Sequence, residues 1–217
     1  MNKPIALSLA ALLCLAVAGP AHAITPKPAA CAHDTLFLIN VAPSFLLMAD
    51  TPPAPGSPGW MIDTAPLRRA GANPWALVGT WDGLSPLVVD CTLADLGEVS
   101  VWLGLRNSDD QGARFDLKVE LLDDGEVIAT GTARCIAGVT RNPQKALAVK
   151  VAFDPIEPLP LGPVPHVLSL RIAARMGTLP DRTCPGHSTA SGLRFYFGGS
   201  ARAAGVDVTF EDPSALP

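Results

Sequence analysis

Val99-Ser-Val-Trp-Leu-Gly-Leu-Arg106 alternates apolar and polar residues, Asn107-Ser-Asp-Asp-Gln-Gly112 breaks the pattern, and Phe115-Asp-Leu-Lys-Val-Glu-Leu121 alternates again. Asp123-Asp-Gly125 then turns the chain, and Val127 to Ile136 returns. Side chains along a strand alternate between its two faces. Phe115, Leu117, Val119 and Leu121 therefore share one side, with Asp116, Lys118 and Glu120 on the other. The stretch predicts a three-stranded antiparallel meander with one buried and one wet face.

The same period recurs outward from this segment. Leu36–Val41 and Ser44–Met48 read as strands, followed by a stiff loop, Thr51-Pro-Pro-Ala-Pro-Gly-Ser-Pro-Gly59. Trp75–Trp81 reads as a strand ending at an Asp82-Gly83 turn, and Leu87, Val89, Cys91 and Leu93 share a face of the next. Leu147, Val149, Val151 and Phe153 form an inward set, as do Leu168, Leu170, Ile172 and Ala174. Leu193, Phe195 and Phe197 do the same, with Arg194 and Tyr196 outward, and Val206, Val208 and Phe210 close the series. Asp154–Pro165 is rich in proline and reads as a loop or an edge. About nine or ten strands with turn signals between them predict an all-β fold. The expected architecture is an antiparallel β-sandwich of jelly-roll type.

The N-terminus reads as a processing signal over 1–23. Lys3 precedes an apolar run, Ile5–Val17, and Ala21-His22-Ala23 has the small-x-small form of a cleavage site. The run is shorter than the roughly 20 residues a spanning helix needs; an uncleaved anchor is the alternative reading. Residues 24–35 read as an extended leader and 36–217 as a single domain. Export places Cys31, Cys91, Cys135 and Cys184 in an oxidising compartment, which predicts two disulfides, and spacing leaves all three pairings open. No pair forms a CxxC, which argues against zinc. The formal charge of −4, without a basic run, argues against nucleic acid and against an anionic membrane surface.

Chemistry-bearing groups are few. Gly186-His-Ser-Thr-Ala190 approaches the Gly-x-Ser-x-Gly nucleophile elbow, but its last position is Ala190, prolines precede it and a strand follows. Ser188 with His33, His166 or His187 as base is the nucleophile the chain offers; a surface loop is the alternative. Asn107, Asp109 and Asp110, with Asp123 and Asp124 nearby in sequence, supply oxygens of the kind calcium takes. Asx turns explain the same residues without a metal. Calcium is thus the cofactor considered, and none is required. For ligand binding the candidates are Trp60, in a Pro/Gly-rich loop, and Tyr196, facing away from Phe195 and Phe197. Arg194 is placed to orient a polar partner. Trp75, Trp81 and Trp102 are assigned to packing.

Val101-Trp-Leu-Gly-Leu-Arg-Asn-Ser-Asp-Asp-Gln-Gly-Ala-Arg-Phe-Asp-Leu117 resembles a segment of an uncharacterised group of secreted bacterial β-sandwich proteins. Cys135-Ile-Ala-Gly-Val-Thr-Arg-Asn-Pro143, Val167–Leu170 with Arg175 and Gly177, and Gly186-His-Ser188 with Gly192–Phe197 match the same pattern in order. The resemblance spans roughly Gly79 to Phe210. It implies that Cys135 pairs with Cys184, a bridge worth roughly 4 kcal/mol in the chain-entropy account. The chain departs from the group after Tyr196, where Phe197-Gly-Gly stands in place of an Asp. The group brings no activity. The sequence thus leads to a secreted, non-catalytic binding or structural module, extracellular, on the envelope surface or periplasmic, with a glycan or a surface protein as partner. A secreted hydrolase using Ser188 or a carboxylate pair, and a self-assembling surface subunit, are the alternatives.

Overall fold

The computed structural model describes residues 31, 33–42, 45–69, 71–83, 91–162, 166–179 and 183–212. The expected signal segment, most of the leader and the Leu87–Val89 half of one expected strand lie outside the described residues.

Fourteen strands form among the described residues, more than the nine or ten expected. They are β1 (His33–Ala42), β2 (Phe45–Ala49), β3 (Trp60–Asp63), β4 (Leu67–Arg68), β5 (Ala76–Gly83), β6 (Cys91–Leu105) and β7 (Phe115–Asp123). After them come β8 (Glu126–Ile136), β9 (Leu147–Ala152), β10 (Leu159–Leu161), β11 (Leu168–Met176), β12 (Thr189–Ala190), β13 (Leu193–Phe197) and β14 (Gly205–Glu211). The surplus comes from short pieces, β3, β4, β10 and β12, too brief to show a period of two. No α-helix occurs among the described residues.

One large sheet runs in the order β3-β13-β6-β14-β1-β2-β5-β11-β7-β8, with β9 and β10 also on β6; β4 and β12 form a small second sheet. The ladders are antiparallel except for a short parallel pairing of Leu47 and Met48 with Asp82 and Gly83. That pairing extends β5 through the residues expected to turn. The sheet bends back on itself: Gly131 of β8 bridges Phe153, and the Asp154 amide donates to the Thr130 carbonyl at 2.8 Å. A side chain at Gly131 would overlap the Ala152 carbonyl oxygen, so the approach of β8 to β9 requires glycine.

The inward sets fall where alternation puts them. Phe115, Leu117, Val119, Leu121, Leu168, Leu170, Ile172 and Ala174 are fully buried in one continuous core with Leu193 and Val206. Burying each large apolar side chain contributes about 1.5–3 kcal/mol.

The expected meander does not form. β7 pairs with β8 across a two-residue turn, Asp124-Gly125, with φ of 48° and 87° as a type I′ hairpin needs. β6, however, pairs with β13, β14, β9 and β10, whereas the partners of β7 are β8 and β11. Residues 106–114 are therefore a crossover between distant parts of the sheet. Alternation defines which face a residue takes, and leaves the partner strand undetermined.

The expected wet face of β7 is also largely covered. Asp116 is 0% exposed and Glu120 8%. Asp116 Oδ1 accepts from the Cys135 amide at 3.0 Å and the Thr178 amide at 3.1 Å. Its Oδ2 accepts from Arg175 Nε at 3.1 Å and the Thr178 hydroxyl at 2.7 Å. A β-bulge between the Phe115 and Leu117 pairings places Cys135 at φ 54° and turns its amide toward this carboxylate. Trp75 lies over the Arg175 guanidinium at 4.3 Å. Glu120 bonds Lys118 and Arg171 at 2.6 and 2.7 Å. Burial opposes its ionisation, but those two hydrogen bonds and charges outweigh it and hold its carboxyl below the usual range.

The disulfides are Cys31–Cys91 and Cys135–Cys184, the second as the resemblance implied. Both are compatible with an oxidising compartment. Asp116→Ala leaves a half-buried guanidinium and two amides without their acceptor, and is expected to cost about 3 kcal/mol. Urea denaturation of the oxidised protein measures it, and a loss under about 1 kcal/mol would contradict this role.

Candidate functional site

Most of the residues singled out from sequence gather at two places, one at each end of β13, and Asp123, Asp124 and His166 form a third group at the β7–β8 turn. At its N-terminal end the crossover 106–114 meets the loop before β12. Asn107 Oδ1 accepts from the Asp109 amide at 3.3 Å and caps a single 3-10 turn, Ser108–Asp110. Asp110 is buried, and its Oδ2 accepts from the Ser191 amide at 2.9 Å and, more closely, from the Ser191 hydroxyl. Gly186 and His187 pack against Gly112. The Cys184 amide donates to Gly177, and the Gly177 amide to Arg114, so this loop is tied to the same strand ends as the disulfide.

Of the calcium candidates, Asp109 is exposed and bonded to Asn107, whereas Asp110 is turned inward to Ser191. Asp123 and Asp124 stand at the far end of β7, about 26 Å along a nine-residue strand, and share no site with them. They meet His166 instead: its Nδ1 lies 2.9 and 3.0 Å from the Asp123 oxygens and 3.8 Å from Asp124 Oδ2. Val167 bonds Asp124 through both backbone groups, so this cluster fastens the start of β11 to the β7–β8 turn.

Ser188 is exposed, and its carbonyl accepts from the Arg69 amide at 2.7 Å. β12 follows it, where a nucleophile elbow requires a helix. His166 with its carboxylate sits at the start of β11, whereas the loop holding Ser188 is tied to residue 177 beyond its end. Nine strand residues, about 26 Å, separate the two. The His33 side chain lies outside the described residues.

At the C-terminal end of β13 is an open cleft of about 350 Å³, lined by Ser57, Gly59, Trp60, Met61, Pro143, Tyr196, Gly199, Ala201 and Arg202. That volume falls within the range of small-ligand sites. Two sequence candidates, Trp60 and Tyr196, meet here, though not as a shared platform. Register pairs Met61 with Tyr196 and Trp60 with Phe197, so Trp60 stands on the alternate face at the rim, 46% exposed. Tyr196 was expected to be exposed and is 7% exposed. Its ring lies over Gly104, where a Cβ would come within 2.8 Å of Cε2, and Arg202 covers it at 5.1 Å. The glycine opposite the tyrosine was the available sign of this burial.

Arg194, the third candidate, is engaged beside the cleft. Its Nε and Nη2 bond the Asp63 oxygens at 2.7 and 2.9 Å, and Arg106 Nε stands 3.8 Å from the same carboxylate. The Arg194 hydrogen bond, opposed by partial burial and aided by the charges of Arg194 and Arg106, holds the Asp63 carboxyl below its usual value. The same bond raises Arg194 further above its ordinary range. Sequence reasoning missed Arg202, which reaches the cleft from a seven-residue detour, 198–204, between β13 and β14. Its Nη2 donates to the Pro143 carbonyl, and the remaining guanidinium donors are left for other partners.

No known protein-family profile matches the chain, and no curated protein sequence does. Among solved structures, the fold is similar to part of an aminopeptidase from a marine sediment Thaumarchaeota archaeon, at 11% identity and a TM-score of 0.52. That match covers 82% of this chain and 37% of the aminopeptidase, and speaks to fold alone. The VP2 subviral particle of infectious bursal disease virus matches at 14% identity and a TM-score of 0.35, over 85% of this chain and 40% of VP2. No helix among the described residues is long and apolar enough to cross a membrane.

Because the Asp63 pKa is lowered on folding, its contribution to stability is complete above the unfolded carboxyl value of about 3.9 and disappears as pH falls through the lower folded value. The stability gap between the native protein and Asp63→Asn, followed by denaturation at a series of pH values, should therefore close below about pH 4. A gap that is constant across that range would show that the Arg194 pair does not stabilise the ionised form.

Proposed function

We propose that this chain is a secreted, non-catalytic binding module on a jelly-roll-type β-sandwich, and that it takes a glycan in the cleft at the β3–β13 end. The observation that carries this reading is the contrast between the two ends. Asp110, Ser191 and Asp116, and the loop that holds Ser188, are engaged in ties between strands. The cleft instead gathers exposed apolar surface at Trp60 and Met61 with a guanidinium that keeps unused donors. Apolar faces beside a few directional polar groups suit a sugar ring with its hydroxyls. The long antiparallel β6, changing partners from β14 to β13 as the sheet bends back, supports the jelly-roll description. The resemblance to secreted bacterial proteins and the two disulfides support export. The peptidase activity named for the archaeal protein belongs to a chain of which this one spans about a third.

One observation favours a second reading, a self-assembling surface subunit. β3 ends the sheet order, and its exposed Trp60 and Met61 stand on that edge. Light scattering over a range of concentrations tests it, and a constant monomer mass would contradict it.

For the primary reading, a glycan-array screen of the signal-free protein is expected to give a defined set of binders. Met61→Ala, at a site 57% exposed, should weaken them by about tenfold without lowering the melting temperature. An array with no binders, or one unaffected by Met61→Ala and Trp60→Ala, would contradict the assignment of the cleft.

A further inference from the structure

Three of the chain's 16 basic residues stand at the cleft, although the whole chain is acidic. Arg202 lines it, and Arg141 and Lys145, both exposed, flank Pro143, which also lines it. Arg194 and Arg106 stand on the same outer face as Tyr196, because residues 102, 104 and 106 of β6 and its extension alternate in step with 194 and 196 of β13. The carboxylate facing them is Asp63, which Arg194 and Arg106 already share. Arg202, Arg141 and Lys145 make no ion pair among the described residues, on a protein of formal charge −4.

Two further features make this a recognition surface instead of a scatter of solvated charges. The Arg202 guanidinium is fixed between the Tyr196 ring and the Pro143 carbonyl, so its remaining donors are presented without ordering a free side chain. The apolar surface of Met61 and Trp60 adjoins it directly, as a ligand with both ring faces and anionic groups would require. Resting on the glycan-binding reading above, we infer that the ligand is an anionic polysaccharide whose carboxylate or sulfate groups pair with Arg202 and the Arg141–Lys145 turn. Nucleic acid and anionic lipid carry the same charge but offer no run of sugar faces free of base or acyl chain, and the 350 Å³ cleft is a feature neither needs.

The test compares polygalacturonate with its carboxyl-reduced, neutral form by isothermal titration at low and moderate salt, and uses a sulfated polysaccharide to separate carboxylate from sulfate recognition. Expected are binding of an anionic polymer, no measurable binding of the neutral one, and an affinity that falls steeply with salt as exposed charges are screened over about 10 Å at 0.1 M. The double variant Arg141→Gln/Lys145→Gln, altered at exposed positions, should lose about tenfold in affinity with its melting temperature unchanged. Equal binding of charged and neutral polymers would overturn the inference and leave the glycan-binding module standing. Binding of neither the carboxylated nor the sulfated polymer, with neutral glycans alone captured on an array, would do the same. Absence of binding to any glycan would overturn both. Tighter binding to single-stranded DNA or phosphatidylglycerol vesicles than to either polysaccharide would overturn the choice of ligand.

Discussion

The Asp116 carboxylate holds together elements that the core alone would leave free to shift. It is fully buried, and a buried carboxylate is costly unless its oxygens are satisfied and its charge is paired. Four donors meet that need, from Cys135 on β8, Arg175 on β11, and the Thr178 amide and hydroxyl just beyond it. Because Cys135 is also one end of a disulfide, the same carboxylate places the Cys184 loop. That loop carries Gly186 and Ser191 onto the 106–114 crossover, where Asp110 receives them. One chain of contacts therefore runs from the β11–β7–β8 end of the sheet to the start of β13.

This chain of contacts explains why the most recognisable sequence stretches lie together without forming a reactive centre. Asn107–Gly112, Cys135, Arg175–Gly177 and Gly186–Gly192 are brought to one end of the molecule, and their polar groups bond one another. Asp110 bonds Ser191, and Asp116 bonds Thr178 and Arg175. A motif of this kind specifies how strands connect. The opposite end of β13 shows the complementary situation, with apolar side chains left in water beside the Arg202 guanidinium.

What the sequence made legible was local. Period-two alternation identified the buried sets on β7, β11 and β13, and Asp124-Gly125 identified a hairpin turn, since both depend on residues a few positions apart. The meander was misread because alternation along Val99–Leu105 carries no information about a partner, and that strand pairs with residues 147–151, 193–196 and 205–206. Asp116 looked solvated because Arg175 and Thr178 are about 60 positions away. Tyr196 looked exposed for a similar reason, since Gly104 on the neighbouring strand makes room for its ring. The basic surface was invisible to a search for basic runs, because Arg202 reaches Pro143, between Arg141 and Lys145, only once the sheet has folded. Trp60 and Tyr196, singled out separately from the sequence, both line one cleft, while Arg202 went unseen on the detour that follows β13.

The two ends of β13 divide the labour, one structural and one open to ligand. Amide hydrogen exchange with and without saturating anionic polysaccharide addresses this division directly. The account predicts added protection in residues 59–63, 140–146 and 196–203, with exchange unchanged at 107–113 and 184–191. Protection confined to 107–113 and 184–191 would contradict it, and would place the binding site on the segments assigned here to structure.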